Sequence, residues 1–303
     1  MNALQRDELQ KINQMGAHDI KLTPIGWEGY KALFDQMPYS TLLQSPVYAK
    51  TVRLVYNQTS IPYRIDKNDK TTGICVLHEA SALKRKLQAI MLDRGPLWYD
   101  PPPSQGDAAR FFKKINDLYP PRFGRKRRFL PELENTLAYG SALNHAGLKR
   151  LKNRPGYQTY WLDLQAEEQS LRSALKGKWR NALRKAEKSE LELCWGKKIE
   201  DAAIILSYHN QDKQTRQFRG APLKTLSVLC HQAAISGDLL SGVAKQNGGI
   251  VGGVIFIRHG RAATYQVGWS HEAGREVNAS NILLWQGMLK LKETGTEFLD
   301  LGG

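Results

Sequence analysis

The stretch LLSGVAKQNGGIVGGVIFIRHGRAATYQVGWS, residues 239–270, decides the fold. Within it Asn247-Gly248 parts Leu239–Gln246 from Ile250–Arg258. Asn-Gly between two apolar runs is the strongest short-range hairpin signal, because both central residues of the tight turn need positive φ. A second turn at His259-Gly260 leads into Arg261–Trp269. An amphipathic helix from Asn278 to Glu293 follows, then a strand from Glu297 to Leu301 that runs into Asp300-Leu301-Gly302-Gly303. Upstream the same order recurs: Ile61–Asp66 turns at Asn68-Asp69 into Thr72–Glu79, then come Leu87–Asp93, a helix over Gln105–Leu118 and a short strand near Arg128. Both copies read strand, strand, strand, helix, strand. Internal duplication of one α/β unit with a mixed sheet is the simplest account.

A chain of 303 residues accommodates two domains of about 150 residues, each with its own core. The expected domains are 1–150 and 151–303, with the boundary near Arg150–Pro155. No apolar run approaches the length that crosses a bilayer, and residues 1–16 are polar and charged, so neither a membrane span nor a secretory signal is expected. A cytoplasmic protein is the expectation, with peripheral contact at the inner face of an anionic membrane allowed. Cys75, Cys194 and Cys230 are scattered, with no CxxC pairing, which speaks against a disulfide framework or a zinc site. The histidines His78, His145, His231, His259 and His271 show no metal-ligand spacing.

The formal charge of +15 is clustered. Lys84-Arg85-Lys86, Arg122 with Arg125–Arg128, Lys149–Arg154 and Lys176–Lys188 carry it. Such a surface attracts polyanions: RNA, nucleotide diphosphates or an anionic membrane. A helix is expected over Glu167–Lys188, with Leu171, Leu175, Trp179 and Leu183 as its buried stripe. Lys176, Arg180, Arg184 and Lys188 repeat one residue on and form a cationic ridge about 100° around the axis. Few carboxylates interleave, so the ridge suits a phosphate-rich partner better than helical ion pairing. Glu187, the nearby acid, is expected to pair with Arg184 or Lys188.

Several stretches, in order, resemble the Fem family of peptidoglycan-bridge aminoacyl transferases. They are Leu42-Leu43-Gln44-Ser45 leading into Tyr48-Ala49-Lys50, Asp93-Arg94-Gly95-Pro96, and Trp161-Leu162-Asp163-Leu164 entering the basic helix with Lys178, Arg180, Arg184, Lys185 and Ala186. Tyr265-Gln266-Val267-Gly268-Trp269-Ser270, Asn278-Ala279 through Leu284-Trp285, and Phe298 to Gly303 complete the set. The resemblance spans Leu42 to Gly303 and implies two tandem GNAT-like (acetyltransferase-like) acyltransferase domains. Few residues separate the basic helix from the next one near Asp201, so the chain resembles the family's armless form. The implied reaction moves an aminoacyl group from charged tRNA to an amine on a UDP- or lipid-linked peptidoglycan precursor, with no stable protein partner. The ester is already activated, so positioning and oxyanion stabilisation supply much of the rate, without a metal or other cofactor. Proton transfer from the attacking ammonium remains to be managed.

Carried over residue by residue, the resemblance places Lys50 on the substrate diphosphate. In Thr215-Arg216-Gln217-Phe218-Arg219-Gly220 it makes Arg219 the first and Arg216 the second candidate for phosphate. Tyr265 and Gln266 line the second-domain cleft, and Lys176, Arg180, Arg184 and Lys188 meet tRNA phosphates. Two departures bear on catalysis. Leu130 stands before Pro131-Glu132 where the family has an acid, which leaves Glu132 or a water as proton acceptor. The second domain is also expected to lack the family's C-terminal segment with its Phe-Lys pair, since the chain reaches only Gly303, and Lys178 is the expected substitute.

Two other readings use the same residues. An acyl-CoA-dependent N-acyltransferase would hold a pyrophosphate on backbone amides before a helix, and Arg216–Pro222, with Gly220 and Pro222, is the nearest such segment. A non-catalytic basic binding protein on this fold is the other, favoured by Leu130 and the missing C-terminal segment. His209 and Asp212 read as a surface pair on a helix.

Overall fold

The computed structural model describes residues 19–151 and 155–302; part of the expected boundary and of the Lys149–Arg154 cluster, the terminal Gly303 and residues 1–16 lie outside them. The chain divides into two compact units, Met1–Leu33 with Gln58–Gly156, and Phe34–Asn57 with Tyr157–Gly303. The sequence-based ranges assign Phe34–Asn57 to the first domain; in the structure it groups with the second unit.

The first unit opens with β1 (Ile20–Pro24) and α1 (Trp27–Phe34), and the chain then makes its excursion through α2 (Pro46–Tyr56). It returns as β2 (Thr59–Lys67), β3 (Lys70–Ala82), β4 (Leu87–Gly95), β5 (Leu97–Trp98), α3 (Gln105–Leu118), β6 (Arg125–Pro131) and α4 (Leu137–His145). The sheet order is β1-β2-β3-β4-β6, with β5 on β3. Only the β4–β6 pairing is parallel in this unit's described residues. The tight turn between β2 and β3 forms because Asn68 and Asp69 both accept positive φ, +52° and +57°. Ser104 caps α3 by accepting from Asp107 N at 3.0 Å. Ala108, Phe111, Phe112 and Ile115, at helical spacing, bury one face of α3 against Ile65, Cys75, Leu77 and Leu92 of the sheet. The strand β1, on the edge beside β2, had no counterpart among the expected elements.

The second unit continues with β7 (Trp161–Asp163), α5 (Glu168–Ala174), α6 (Gly177–Glu187), β8 (Glu192–Gly196), α7 (Ile199–Arg216) and α8 (Leu223–Ser236). The hairpin strands β9 (Leu239–Gln246), β10 (Gly249–His259) and β11 (Ala262–Ser270) follow, then α9 (Glu272–Glu276), α10 (Ala279–Glu293) and β12 (Phe298–Asp300). The order is β7-β12-β11-β10-β9-β8, with β11 and β12 parallel. Both faces are covered, which is why β10 is a near-continuous apolar run. One face packs α6 and α10 through Leu183, Leu283 and Trp285; the other packs α7 and α8 through Ile205, Leu229 and Cys230. Gly253 lets α7 approach: a Cβ there would stand 2.8 Å from Ile205 Cγ1.

The excursion is fastened within this unit. Leu42 and Val47 join the α7–α8 core. Tyr56 Oη and Thr225 Oγ1 are 2.6 Å apart. Buried Ser40 donates to the His259 carbonyl at 2.6 Å, and His259 Nε2 meets Thr264 Oγ1 at 2.8 Å. Ser45 caps α2, with Pro46 at its first position, and Asn57 ends it at φ +52°.

The helix expected over Glu167–Lys188 is two helices. Leu175 and Lys176 are extended, with ψ of 137° and 142°. On one straight helix a four-residue repeat drifts about 40° per step, so Leu171 and Leu183 would end about 120° apart. The break resets the phase, and Leu171, Leu175 and Trp179 pack with buried Leu183 on one core. The ridge is correspondingly shorter: Arg180 and Arg184 lie on α6, with Lys176 and Lys188 as its caps. Glu187 pairs across the break with Arg172 (2.5 Å), not with Arg184 or Lys188.

Candidate active site

The pairing of β12 decides where the second sheet opens. Among the described residues β12 joins β11 only at Ala262–Thr264, so from Tyr265 to Ser270 that edge of β11 carries no strand. Unpaired amides and carbonyls on such an edge are ready to bond an extended ligand. In the first unit the corresponding parallel pair extends from Gln88 to Gly95 against Arg125 to Pro131, with a bulge at Arg94.

At the start of the open edge sits a bulge. Phe256 pairs with Tyr265 and Ile255 with Val267, which leaves Gln266 as the extra residue. Bulges re-aim side chains and end pairing. Tyr265 and Gln266 are both half-buried. The Tyr265 ring packs on Phe256 at 5.6 Å and its hydroxyl lies over Gly268, where a Cβ would come within 1.7 Å of Oη. Burial raises the Tyr265 phenol above its ordinary range, so it stays a neutral donor. The turn after β12 closes nearby: Gly302, at φ +74°, faces the Tyr265 carbonyl, and its N–H donates to buried Asp300 Oδ1 at 2.9 Å. Asp300 also accepts from Thr159 Oγ1.

His209, read from the sequence as half of a surface pair with Asp212, instead reaches the same strand. Burial lowers its imidazole below the ordinary value, against a hydrogen bond with the Gly268 backbone that pulls upward. At neutral pH it is therefore an uncharged base. Tyr208 stacks on Trp269 at 4.3 Å, and His209 meets Phe218 edge-on at 5.5 Å. Asp212 pairs with Arg216 (3.7 Å). A helical histidine two turns from any motif carries no sequence signal; only the packing of α7 on β11 singles it out.

The segment after α7 is ordered by Lys213, which donates to the carbonyls of Gly220 and Ala221 at 2.8 and 2.9 Å. Arg216, the last residue of α7, and Arg219 on the segment are both exposed. Pro222 opens α8 with no side-chain cap, so first-turn amides there are open to an anion. Lys50 is exposed on α2, about 9 Å along the helix from Tyr56 at 1.5 Å per residue, and Tyr56 touches the first turn of α8 through Thr225. Lys178 is exposed in the first turn of α6. Glu132 falls in the other unit. Both its oxygens accept from Arg94, at 2.9 and 2.7 Å, so it serves as counter-ion to a buried guanidinium. Arg94 is the bulge residue of β4, at φ +49°.

The family described as Acetyltransferase (GNAT) domain matches residues 170–303. No curated protein matches the chain. Among solved structures, the crystal structure of FemX is similar with a TM-score of 0.74 and 12% identity, over 93% of this chain and 88% of that one. A conserved protein of unknown function from Bacteroides thetaiotaomicron is similar with a TM-score of 0.55 and 14% identity, over 93% and 90%. At these identities the likeness is one of fold. Fold and match together define a protein of two tandem GNAT-like units, with mixed α/β sheets. Within that class the chain has a FemX-like architecture along almost its whole length, and the GNAT match in the second unit supports a transferase.

Proposed function

We propose that the protein transfers an aminoacyl group from charged tRNA to an amine of a peptidoglycan-precursor peptide, with the open edge of β11 as the reaction site. The observation that carries this reading is the edge itself, with a neutral phenol at Tyr265 on the α6–α10 face of the sheet and a neutral imidazole at His209 on α7, which covers the other face, in a chain of FemX-like fold. The acceptor peptide lies extended along the edge and bonds its backbone groups, as an added strand would. Its amine attacks the aminoacyl ester carbonyl. The ammonium proton passes to His209, the C–O bond to the terminal ribose breaks, and the ribose oxygen takes the proton. Tyr265 donates to the developing oxyanion and Gln266 to the peptide. Lys50, Arg216 and Arg219 hold the precursor's phosphates. Lys176, Arg180, Arg184 and Lys188 meet tRNA phosphates, with Lys178 toward the ester.

A second reading keeps the edge and changes the donor to acyl-CoA; the GNAT match over residues 170–303 favours it. Binding of charged against uncharged tRNA at moderate salt, with and without excess acyl-CoA, separates the two. Preference for charged tRNA that acyl-CoA leaves unchanged, with a precursor mass increased by one aminoacyl residue, is the expected result. Displacement by acyl-CoA assigns the second reading. Equal binding of both tRNA forms with no CoA binding leaves a basic binding protein, since cations alone hold any RNA and lose it as salt rises.

A further inference from the structure

Away from the β11 edge, two loop tips of the first unit are clamped side by side. The tip between β3 and β4, Leu83–Lys86, meets the segment Pro120–Gly124 that precedes β6. Arg122 donates from Nη2 to the Arg85 carbonyl at 2.8 Å and from Nη1 to the Lys86 carbonyl at 3.2 Å. Gln88 N donates to the Gly124 carbonyl at 2.8 Å. Gly124, at φ +77°, approaches so closely that a Cβ would stand 2.4 Å from the Lys86 oxygen. The two tips therefore form one platform.

From that platform three apolar side chains project into solvent: Phe123 is 100% exposed, Leu83 68% and Leu87 48%. Lys84, Arg85, Lys86, Arg122, Arg125 and Lys126 surround them, and neither 83–88 nor 120–128 contains an acid. Arg85 has a partner in Glu79 (2.7 Å). Lys84, Lys86 and Lys126 make no ion pair among the described residues, which leaves their charge available. Single exposed leucines need no explanation, but three apolar tips inside a ring of cations do.

We propose that this platform docks on an anionic phospholipid surface. Apolar tips enter the boundary between headgroups and acyl chains while the cations meet lipid phosphates. Single-stranded nucleic acid would satisfy the same charges, and Phe123 offers one stacking face, but two of the three tips, Leu83 and Leu87, are aliphatic and offer none. The platform lies wholly in the first unit, so lipid docking stands whether or not the second unit carries the reaction assigned above.

The test is co-sedimentation of the full chain with vesicles of phosphatidylcholine alone and of phosphatidylcholine mixed with phosphatidylglycerol. Binding is expected to the mixed vesicles only. Lys84→Glu with Lys86→Glu should weaken it at least about 25-fold, from about fivefold per lost cation. Phe123→Ser should weaken it about tenfold by removing the apolar anchor, and Phe123→Trp should shift its emission to the blue on vesicle addition. All these side chains are exposed, so unchanged thermal midpoints control for folding. Equal binding to both vesicles, or affinity indifferent to Phe123→Ser, overturns the proposal. So does a result in which the lysine variants weaken binding of a mixed-sequence RNA but leave vesicle binding intact, which would make the platform a nucleic-acid surface.

Discussion

Replacing Gly268 by alanine isolates the seat of the Tyr265 hydroxyl. The backbone at Gly268 has no positive φ, so alanine adds no backbone strain, and the whole effect comes from one methyl group. That methyl would stand 1.7 Å from Tyr265 Oη and 2.7 Å from Cζ, well inside van der Waals contact, so the ring must leave its position over the strand. Tyr265 is packed on Phe256, and overpacking a filled site of this kind costs about 1–3 kcal/mol. For a unit of this size that lowers the thermal midpoint by about 2–12 °C, at about 2–4 °C per kcal/mol. The cost should fall when the ring is gone. In a Tyr265→Leu background Gly268→Ala should cost less than about 0.5 kcal/mol, giving a coupling of about 0.5 kcal/mol or more in the double-mutant cycle. Denaturant midpoints of the four proteins measure it. If Gly268→Ala costs the same in both backgrounds, or nothing in either, the hydroxyl is not seated on Gly268 and its place beside the open edge is wrong. On the proposed reaction, transfer activity should fall as well, because Tyr265, the proposed donor to the oxyanion, has moved.

Removing the Glu132 carboxylate by Glu132→Ala takes two charge-assisted bonds from buried Arg94; a loss of about 2–3 kcal/mol in urea unfolding is expected, whereas a change below about 0.5 kcal/mol would argue for a catalytic rather than a structural carboxylate. His209 has a lowered imidazole value in the fold through burial, so its contribution to stability is complete above the ordinary value of 6.5 and is lost as pH falls through that value toward the lower folded one. His209→Gln should flatten the stability profile in this interval, and an unchanged profile would show that the ring is not desolvated. Neutralising Arg180 and Arg184 should reduce the slope of log affinity for tRNA against log salt by about 0.7–0.9 per charge; an unaltered slope would remove α6 from the tRNA surface. Of the three thiols, Cys75 and Cys230 are buried, and burial pushes Cys230 up to about 12. Cys194 should therefore react first with a thiol reagent, though slowly, since its bond to Glu192 raises it too.

What the order of residues conveyed well was local. The turn at Asn68-Asp69 and the one at Asn247-Gly248 announce themselves because each needs positive φ at adjacent positions, which side chains such as Asn, Asp and Gly tolerate. The helix over Gln105–Leu118 is legible from Phe111, Phe112 and Ile115 recurring on one face. Where the local pattern fits two structures, packing chooses between them. The leucines from Leu171 to Leu183 fit one long helix by spacing alone, and nothing short of the core they share shows that the helix must break. Short strands such as β1 and β8 carry too few residues for a period of two to stand out.

The candidate site divides the same way. Tyr265, Gln266, Lys50, Arg216 and Arg219 could be named from resemblance, and all five stand in the second unit. The contact of His209 with β11 and the pairing of Glu132 with Arg94 carry no local signal, because each depends on residues far apart in the chain. The sequence by itself determined two copies of a three-strand, helix, strand unit and where their positive charge is concentrated, since turn chemistry and periodicity act between neighbours. Tertiary structure alone decided that Phe34–Asn57 joins the second unit, that Gln266 bulges out of β11, and that β12 stops pairing at Thr264. Those features follow from packing and strand register between distant segments, which no local pattern encodes.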